Sequence, residues 1–303
     1  MGGAVETSTP SRKATNQTPA NQNPANQNPA NQNPANSDPF DHELRYLLSR
    51  GEMRRFLDAI AARTAVEIYD PARPISYTRT TYLDTDDLTY FRTGDGAPAR
   101  RLRIREYAVA TTPKDTPILS GVAFVELKEH DGPARRKVRL AAAPAEIAQL
   151  LAQRQAGPSS GMTAGQAELA RELALPTMAP RLATWYRRLC LTADARRVRI
   201  TLDENLTFCQ PQPIGDAGSL AAPREREVIA AFPARVLEIK HCGEMPFWLG
   251  PALEALQPAD SFSKFRMGMT ALGHAGEVGR EAESPAPAVS TAPMFAVATF
   301  VAA

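Results

Sequence analysis

Apolar and charged residues alternate along several short stretches of this chain, and most of the charges are basic. In Arg101-Leu102-Arg103-Ile104-Arg105 every second residue is an arginine. Successive side chains on a strand point to opposite faces, so Arg101, Arg103 and Arg105 share one face and Leu102 and Ile104 the other. Phe124-Val125-Glu126-Leu127-Lys128 sets Glu126 and Lys128 against Val125 and Leu127. Arg135, Lys137 and Arg139 align in the next segment, and Val198, Ile200 and Leu202 form the apolar set of another. In Val236-Leu237-Glu238-Ile239-Lys240, Glu238 and Lys240 face away from Leu237 and Ile239. One sheet built from these strands has a greasy side and a cationic side dotted with carboxylates.

The elements between them follow from local signals. Ser49 with Glu52 has capping-box spacing ahead of Met53, Phe56, Leu57 and Ile60 at helical intervals. Strands are expected over 43–48, 75–83, 100–107, 121–129, 134–140, 182–191, 196–203, 205–208 and 235–241, and helices over 144–155, 164–173, 246–256 and 261–272. Short turns between strands, with helices inserted, point to an antiparallel α+β arrangement. A sheet that turns its apolar side to helices and gathers its cations on the other is inside-out relative to a sandwich. Closing it into an eight-stranded β-tunnel with a charged lumen and flanking helices resolves that.

Residues 1–39 are a repeat of Asn, Gln, Pro and Ala with almost nothing to bury, expected to be a disordered extension. Residues 40–272 form the expected domain, and 273–303, interrupted by Pro285, Pro287 and Pro293, a flexible tail. The 303 residues are 43% hydrophobic, enough for a sizeable core. The net charge is only +2, so a strong basic field must arise from local arrangement. Cys190, Cys209 and Cys242 are odd in number and far apart, which argues against a disulfide framework and fits a reducing compartment. The start of the chain lacks the apolar core of a secretory signal and no run is long enough to span a membrane, so a cytoplasmic location is expected.

An ordinary sheet with a solvated face interleaves both signs of charge. Three arginines side by side repel unless an anion sits among them, and the planar guanidinium grips phosphate oxygens bidentately. Lys128, Lys240 and Lys264 add point charges. Glu43, Glu126, Asp203 and Glu238 each sit on a strand; they either neutralise a crowded face or hold a hard cation such as Mg²⁺ or Mn²⁺. The four histidines, His42, His130, His241 and His274, have no zinc-site spacing and are read as surface or turn residues. No nucleophile elbow and no P-loop is present. Tyr82, Tyr107, Tyr186 and Trp185 are read as core or barrel wall. Nucleic acid is disfavoured by the near-neutral charge and by a lack of stacking aromatics near the arginines.

Eight motifs occur in order: Glu43-Leu44-Arg45-Tyr46, Thr81-Tyr82-Leu83-Asp84-Thr85, Arg101 to Tyr107, Val125-Glu126-Leu127-Lys128, Tyr186-Arg187-Arg188, Val198 to Asp203, Leu237-Glu238-Ile239-Lys240 and Phe262-Ser263-Lys264-Phe265. Together they resemble the VTC domain, the polyphosphate polymerase module of the vacuolar transporter chaperone family, within the triphosphate tunnel metalloenzymes. The resemblance implies an eight-stranded antiparallel tunnel that transfers the γ-phosphate of ATP to a growing polyphosphate chain with Mn²⁺ or Mg²⁺. It assigns Arg103 and Arg105 to the nucleotide phosphates, and it adds Lys128, Arg188, Arg199 and Lys264 to the catalytic set. Substrate binding falls to Arg45, Arg101, Arg139, Lys240 and Ser263, and metal binding to Glu238 with Glu126. Arg45 and Ser261 stand where the family carries lysines, which changes the grip at those points. ATP and inorganic polyphosphate are the implied partners. The membrane-spanning domain of the better-known members is missing, which leaves association with a separate membrane protein open. Hydrolysis of tripolyphosphate or a nucleoside triphosphate on the same tunnel, and polyphosphate binding without turnover, are the alternatives.

Overall fold

A computed structural model of the chain describes residues 40–93, 99–131, 134–153, 162–214 and 223–273. The expected N-terminal extension lies outside these residues, as do His274 and nearly all of the expected tail. Ten strands form one antiparallel sheet. They are β1 (His42–Leu48), β2 (Ala65–Val66), β3 (Ile75–Asp84), β4 (Ala99–Ala110), β5 (Ile118–Asp131), β6 (Ala134–Ala142), β7 (Ala179–Ala193), β8 (Val198–Cys209), β9 (Val228–Ala231) and β10 (Arg235–His241). Eight of them run in the order β1-β10-β8-β7-β3-β4-β5-β6, while β2 joins β7 and β9 joins β8.

The expected closed barrel is corrected here: the path ends at β1 and β6, which do not pair. The free edge of β1 is instead covered by a short segment of chain, through a bridge from Tyr46 to Pro258 and a bond from the Ala259 amide to the Arg45 carbonyl. The sheet nevertheless curls until distant strands face each other. Lys128 on β5 interacts with Glu238 and Lys240 on β10, and Arg101 on β4 with Arg45 on β1. Register shifts at Tyr82/Leu83, Glu106/Ala108 and Trp185/Arg187 mark irregularities of the kind that sharpen local twist.

Alternation sets the two faces. Leu102 and Ile104 on β4, Val125 and Leu127 on β5 and Val138 on β6 pack outward with Ile147 of α3 (Pro144–Gln153) and with Leu169 and Leu173 of α4 (Ala164–Ala174). On the far side, Met53, Phe56 and Ile60 of α1 (Arg50–Ile60) cover Ile200, Leu237 and Ile239. Each such side chain contributes roughly 1.5–3 kcal/mol when fully buried. The expected capping box of Ser49 and Glu52 is present, and Thr163 with Gln166 builds a second one on α4.

Three local expectations change. The stretch 205–208 is not a separate strand; β8 runs through it, with Asn205 at φ 54°. The helix expected over 246–256 shrinks to α5 (Gly250–Leu253): Pro251 lacks the amide donor that a helix begun at Pro246 would need there, and is tolerated in the first turn of the shorter one. His241 is a buried strand residue stacked on His42 at 4.7 Å, not a surface or turn residue. A four-residue helix, α2 (Thr89–Arg92), follows β3, and α6 (Lys264–Ala271) ends the described chain. No helix among the described residues is long and apolar enough to cross a membrane.

Candidate anion-binding lumen

The inner face of the curled sheet is assembled by register. On β3, β4, β5 and β6 one row runs Tyr82, Arg103, Glu126, Arg139, and the next on β4, β5 and β6 runs Arg101, Lys128, Lys137. On β1, β10 and β8 the rows are Arg45, Glu238, Thr201 and Glu43, Lys240, Arg199. Arg188 on β7 lies opposite Asp203 on β8. The structure therefore brings Arg45, Arg101, Arg103, Arg105, Lys128, Arg139, Arg188, Arg199, Lys240, Glu126 and Glu238 onto one concave face, with Lys264 reaching in from α6.

Glu126 is the electrostatic centre of the β4–β6 half. It is fully buried, with one oxygen 2.7 Å from an Arg103 nitrogen and the other 2.5 Å from Arg139 and 3.3 Å from Lys137; Arg105 stands 3.9 Å away. Burial alone would raise its pKa, but these four cations hold the carboxyl well below the usual range. One carboxylate cannot neutralise them all. Arg101 and Lys128, side by side across β4 and β5, have no carboxylate of the described residues within ion-pair distance. Burial, reinforced by Arg103 and Lys240, pushes the Lys128 ammonium down to about 7. Burial likewise lowers the pKa of Arg101, with Arg103, Arg45 and Arg266 adding repulsion.

The β7–β8 half is better compensated. Arg188 grips Asp203 through two bonds of 2.6 and 2.8 Å, and Lys264 bonds the same carboxylate at 2.5 Å. Burial opposes the charge of Asp203, and Arg188 and Lys264 more than offset it, so its pKa falls. Lys264 and Arg188 also lie over the Tyr186 ring, at 4.7 and 5.3 Å. Arg199 bonds Cys190 Sγ at 3.4 Å and the Tyr69 hydroxyl at 3.3 Å, and Lys240 lies 3.5 Å from Glu43.

Some assigned residues prove to be partly structural. Arg45 donates to the Phe262 carbonyl at 2.8 Å and pairs with Glu43. Ser263 caps α6, accepting from the Arg266 amide. Lys137 was visible in the alternation beside Arg139 but joins the site only through its reach to Glu126. Tyr69 has no sequence signal, since it enters from an irregular segment. The premise that no aromatics lie near the arginines is corrected: the Arg139 guanidinium covers the Phe124 ring at 4.6 Å, and the Arg105 guanidinium lies 3.4 Å from the Tyr107 hydroxyl.

For a divalent ion, the donors are few. Among the described residues no group of three or more His, Cys, Asp or Glu converges on one point. Both oxygens of Glu126 are taken by cations, so a metal there would have to displace Arg103 or Arg139. Glu238 is less engaged: its nearest ion-pair partner, Arg45, is 3.7 Å away, and the hydroxyl of Thr201, beside it in the ladder, is buried without a partner. Burial opposes its charge, and Lys240, Lys128, Arg188 and Arg45 hold its carboxyl well below the usual range. A single available carboxylate fits an ion such as Mg²⁺, which commonly takes one or two carboxylates and completes its shell with phosphate oxygens and water.

Among solved structures, the chain is similar to bh2851 of Bacillus halodurans, described as a candidate adenylate cyclase, at 12% identity and a TM-score of 0.44, over 74% of this chain and 95% of that one. It is also similar to the PH1819 protein of Pyrococcus horikoshii OT3 at 12% identity and a TM-score of 0.38, over 75% of this chain and 97% of that one. No curated protein matches. The family model for the VTC domain matches residues 40–273, which takes in every strand of the curled sheet and the helix that carries Lys264. The chain belongs to the VTC domain family.

Proposed function

We propose that this chain is a polyphosphate polymerase, which transfers the γ-phosphate of ATP to the end of a growing phosphate chain held in the lumen. The observation that carries the reading is the surplus of inward cations: among the described residues Arg101 and Lys128 make no ion pair with a carboxylate, and Arg103, Arg105, Lys137 and Arg139 gather around one buried carboxylate, Glu126. Buried like charges at this density require a polyanion, and arginine's fork suits phosphate oxygens.

Phosphoryl transfer passes through a loose transition state, so the protein's part is positioning and charge stabilisation. Arg103 and Arg139 are held on the lumen face by Glu126, with Arg105 3.9 Å from it. Lys128 and Arg101 supply charge that no carboxylate of the described residues holds in an ion pair. Arg188, Arg199, Lys240 and Lys264 complete the opposite wall. Glu238 is the residue that would hold Mn²⁺ or Mg²⁺, whose contribution is to neutralise charge on phosphate oxygens. A cytoplasmic setting, with ATP at hand, belongs to the same proposal.

Incubation of the purified protein with ATP and Mn²⁺, followed by gel analysis, tests it. Long polyphosphate supports the polymerase; orthophosphate alone assigns the lumen to hydrolysis; anion binding without turnover leaves a binding module. Glu238→Gln is expected to lower metal-dependent turnover roughly a hundredfold while tripolyphosphate affinity stays within about twofold. Equal losses of both would remove Glu238 from the metal.

A further inference from the structure

Among the described residues Arg199 makes no ion pair with a carboxylate, yet it is held at two points by the segment that links α1 to β3. The lumen row of β7 passes from Leu182, beside Gly268 of α6, through Arg188 to Cys190, and Arg199 of β8 lies at that far end. The linking segment crosses there. Its β2 pairs Ala65 with Thr192 and Val66 with Leu191 of β7, and the Glu67 amide donates to the Cys190 carbonyl at 2.8 Å. A turn at Asp70 ends the crossing, its carboxylate accepting from the Ala72 amide at 3.0 Å and from Arg73 Nε at 2.7 Å. Alternation sorts the side chains between these two anchors: Val66 and Ile68 face solvent, and Glu67 and Tyr69 turn inward.

The bonds close into a ring. Arg199 Nε donates to Cys190 Sγ at 3.4 Å, and its Nη2 donates to the Tyr69 hydroxyl at 3.3 Å. The thiol and the hydroxyl each donate in turn to one oxygen of Glu67, at 3.1 and 3.4 Å, while Arg196 holds the other oxygen at 3.3 Å. Burial pushes the Tyr69 hydroxyl and the Cys190 thiol up, so both stay neutral near pH 7. Arg188, on the adjacent strand, is held differently: Asp203 takes two of its donors directly. At Arg199 the counter-charge stands one neutral group away. The guanidinium plane is fixed, and its charge is not cancelled at contact distance.

We propose that Tyr69 is a positioning residue for Arg199: its hydroxyl orients the guanidinium toward bound phosphate without setting a carboxylate against it. The proposal rests on the phosphate-handling reading above and adds to it a residue that lies outside every strand motif. Tyr69 acts through Arg199 and not by touching the substrate.

Tyr69→Phe keeps the ring and removes the hydroxyl. Tripolyphosphate is titrated by calorimetry, with metal chelated, into the intact wild-type protein, Tyr69→Phe, Arg199→Ala and the double variant. Tyr69→Phe is expected to weaken affinity about fivefold when Arg199 is present and less than about twofold when it is absent. In nuclear magnetic resonance spectra of protein with isotope-labelled arginine, the Arg199 Nε–H signal is identified by its loss in Arg199→Ala. That proton should exchange with water at least about fivefold faster once the hydroxyl is gone. An equal loss of affinity in both backgrounds, no loss in either, or an unchanged exchange rate overturns the positioning role and leaves the phosphate reading standing. A wild-type protein that binds no tripolyphosphate overturns that reading, and the role of Tyr69 with it.

Discussion

Glu106 and Glu126 are both fully buried carboxylates, on neighbouring strands of the same sheet, and they do opposite things. Glu106 points to the outer, apolar side of β4 and is matched one to one: Arg79 on β3 bonds both its oxygens, at 2.7 and 2.9 Å, and spends its remaining donors on Gln212 and the Pro213 carbonyl. Glu126 points to the lumen and is shared among Arg103, Arg105, Lys137 and Arg139. The first arrangement is complete without a ligand. The second is left with excess positive charge that only an incoming anion can balance. Counting partners, and not carboxylates or arginines alone, separates scaffold from site in this molecule.

The largest expected effect breaks the complete pair. Arg79→Ala leaves Glu106 charged, buried and alone, which should cost roughly 3–5 kcal/mol in denaturant unfolding, with no recovery on adding tripolyphosphate. Glu126→Gln attacks the other carboxylate and should behave differently. The lumen cations lose their shared counter-charge, so stability of the free protein falls by about 3 kcal/mol, and tripolyphosphate restores most of it. If both variants respond alike to the anion, the distinction between the two carboxylates fails.

Arg103→Ala removes a gripping side chain and should weaken tripolyphosphate binding roughly ten- to a hundredfold by calorimetry, since hydrogen bonds to charged groups are worth roughly 1.5–3 kcal/mol. A graded effect is expected on pH. With Lys128 at about 7 in the free protein, a bound polyanion must raise its pKa, so binding takes up a proton above that value. Affinity should fall as pH rises from 7 toward 9, by up to about tenfold per unit, and Lys128→Arg should flatten the profile. The stability of the free protein has the opposite slope. Unfolded lysine binds more protons than folded Lys128 between about 7 and about 10.4, so this group's contribution to stability increases with pH there.

The contrast also explains what could be read from the sequence. Alternation around Leu102, Ile104, Val125 and Leu127 fixed which residues face the helices, and it put Arg101, Arg103 and Arg105 together before any coordinates. Glu106 escaped notice because it belongs to the apolar set by parity, and its partner Arg79 is distant in sequence. A charged residue on the greasy side of two separate strands was the available signal. Closure was misjudged because it depends on where the edges of β1 and β6 arrive after every strand has twisted, which no local pattern encodes. The expected break between strands 196–203 and 205–208 is a kink inside one strand, where Asn205 takes a positive φ and the ladder continues. That Lys128 makes no ion pair among the described residues is likewise a property of the assembled sheet, not of the Val-Glu-Leu-Lys motif.

The stretch that lies along the outer margin of β1 leads directly into the residues that fill the lumen's floor. Pro258 and Ala259 hold the strand, and a few positions later Phe262 and Phe265 occupy the hollow. Peeling that stretch away would uncover a raw strand border, open to pairing with other chains, and would drain the floor at the same moment. Loss of anion binding and self-association should therefore appear at one temperature, as a single event.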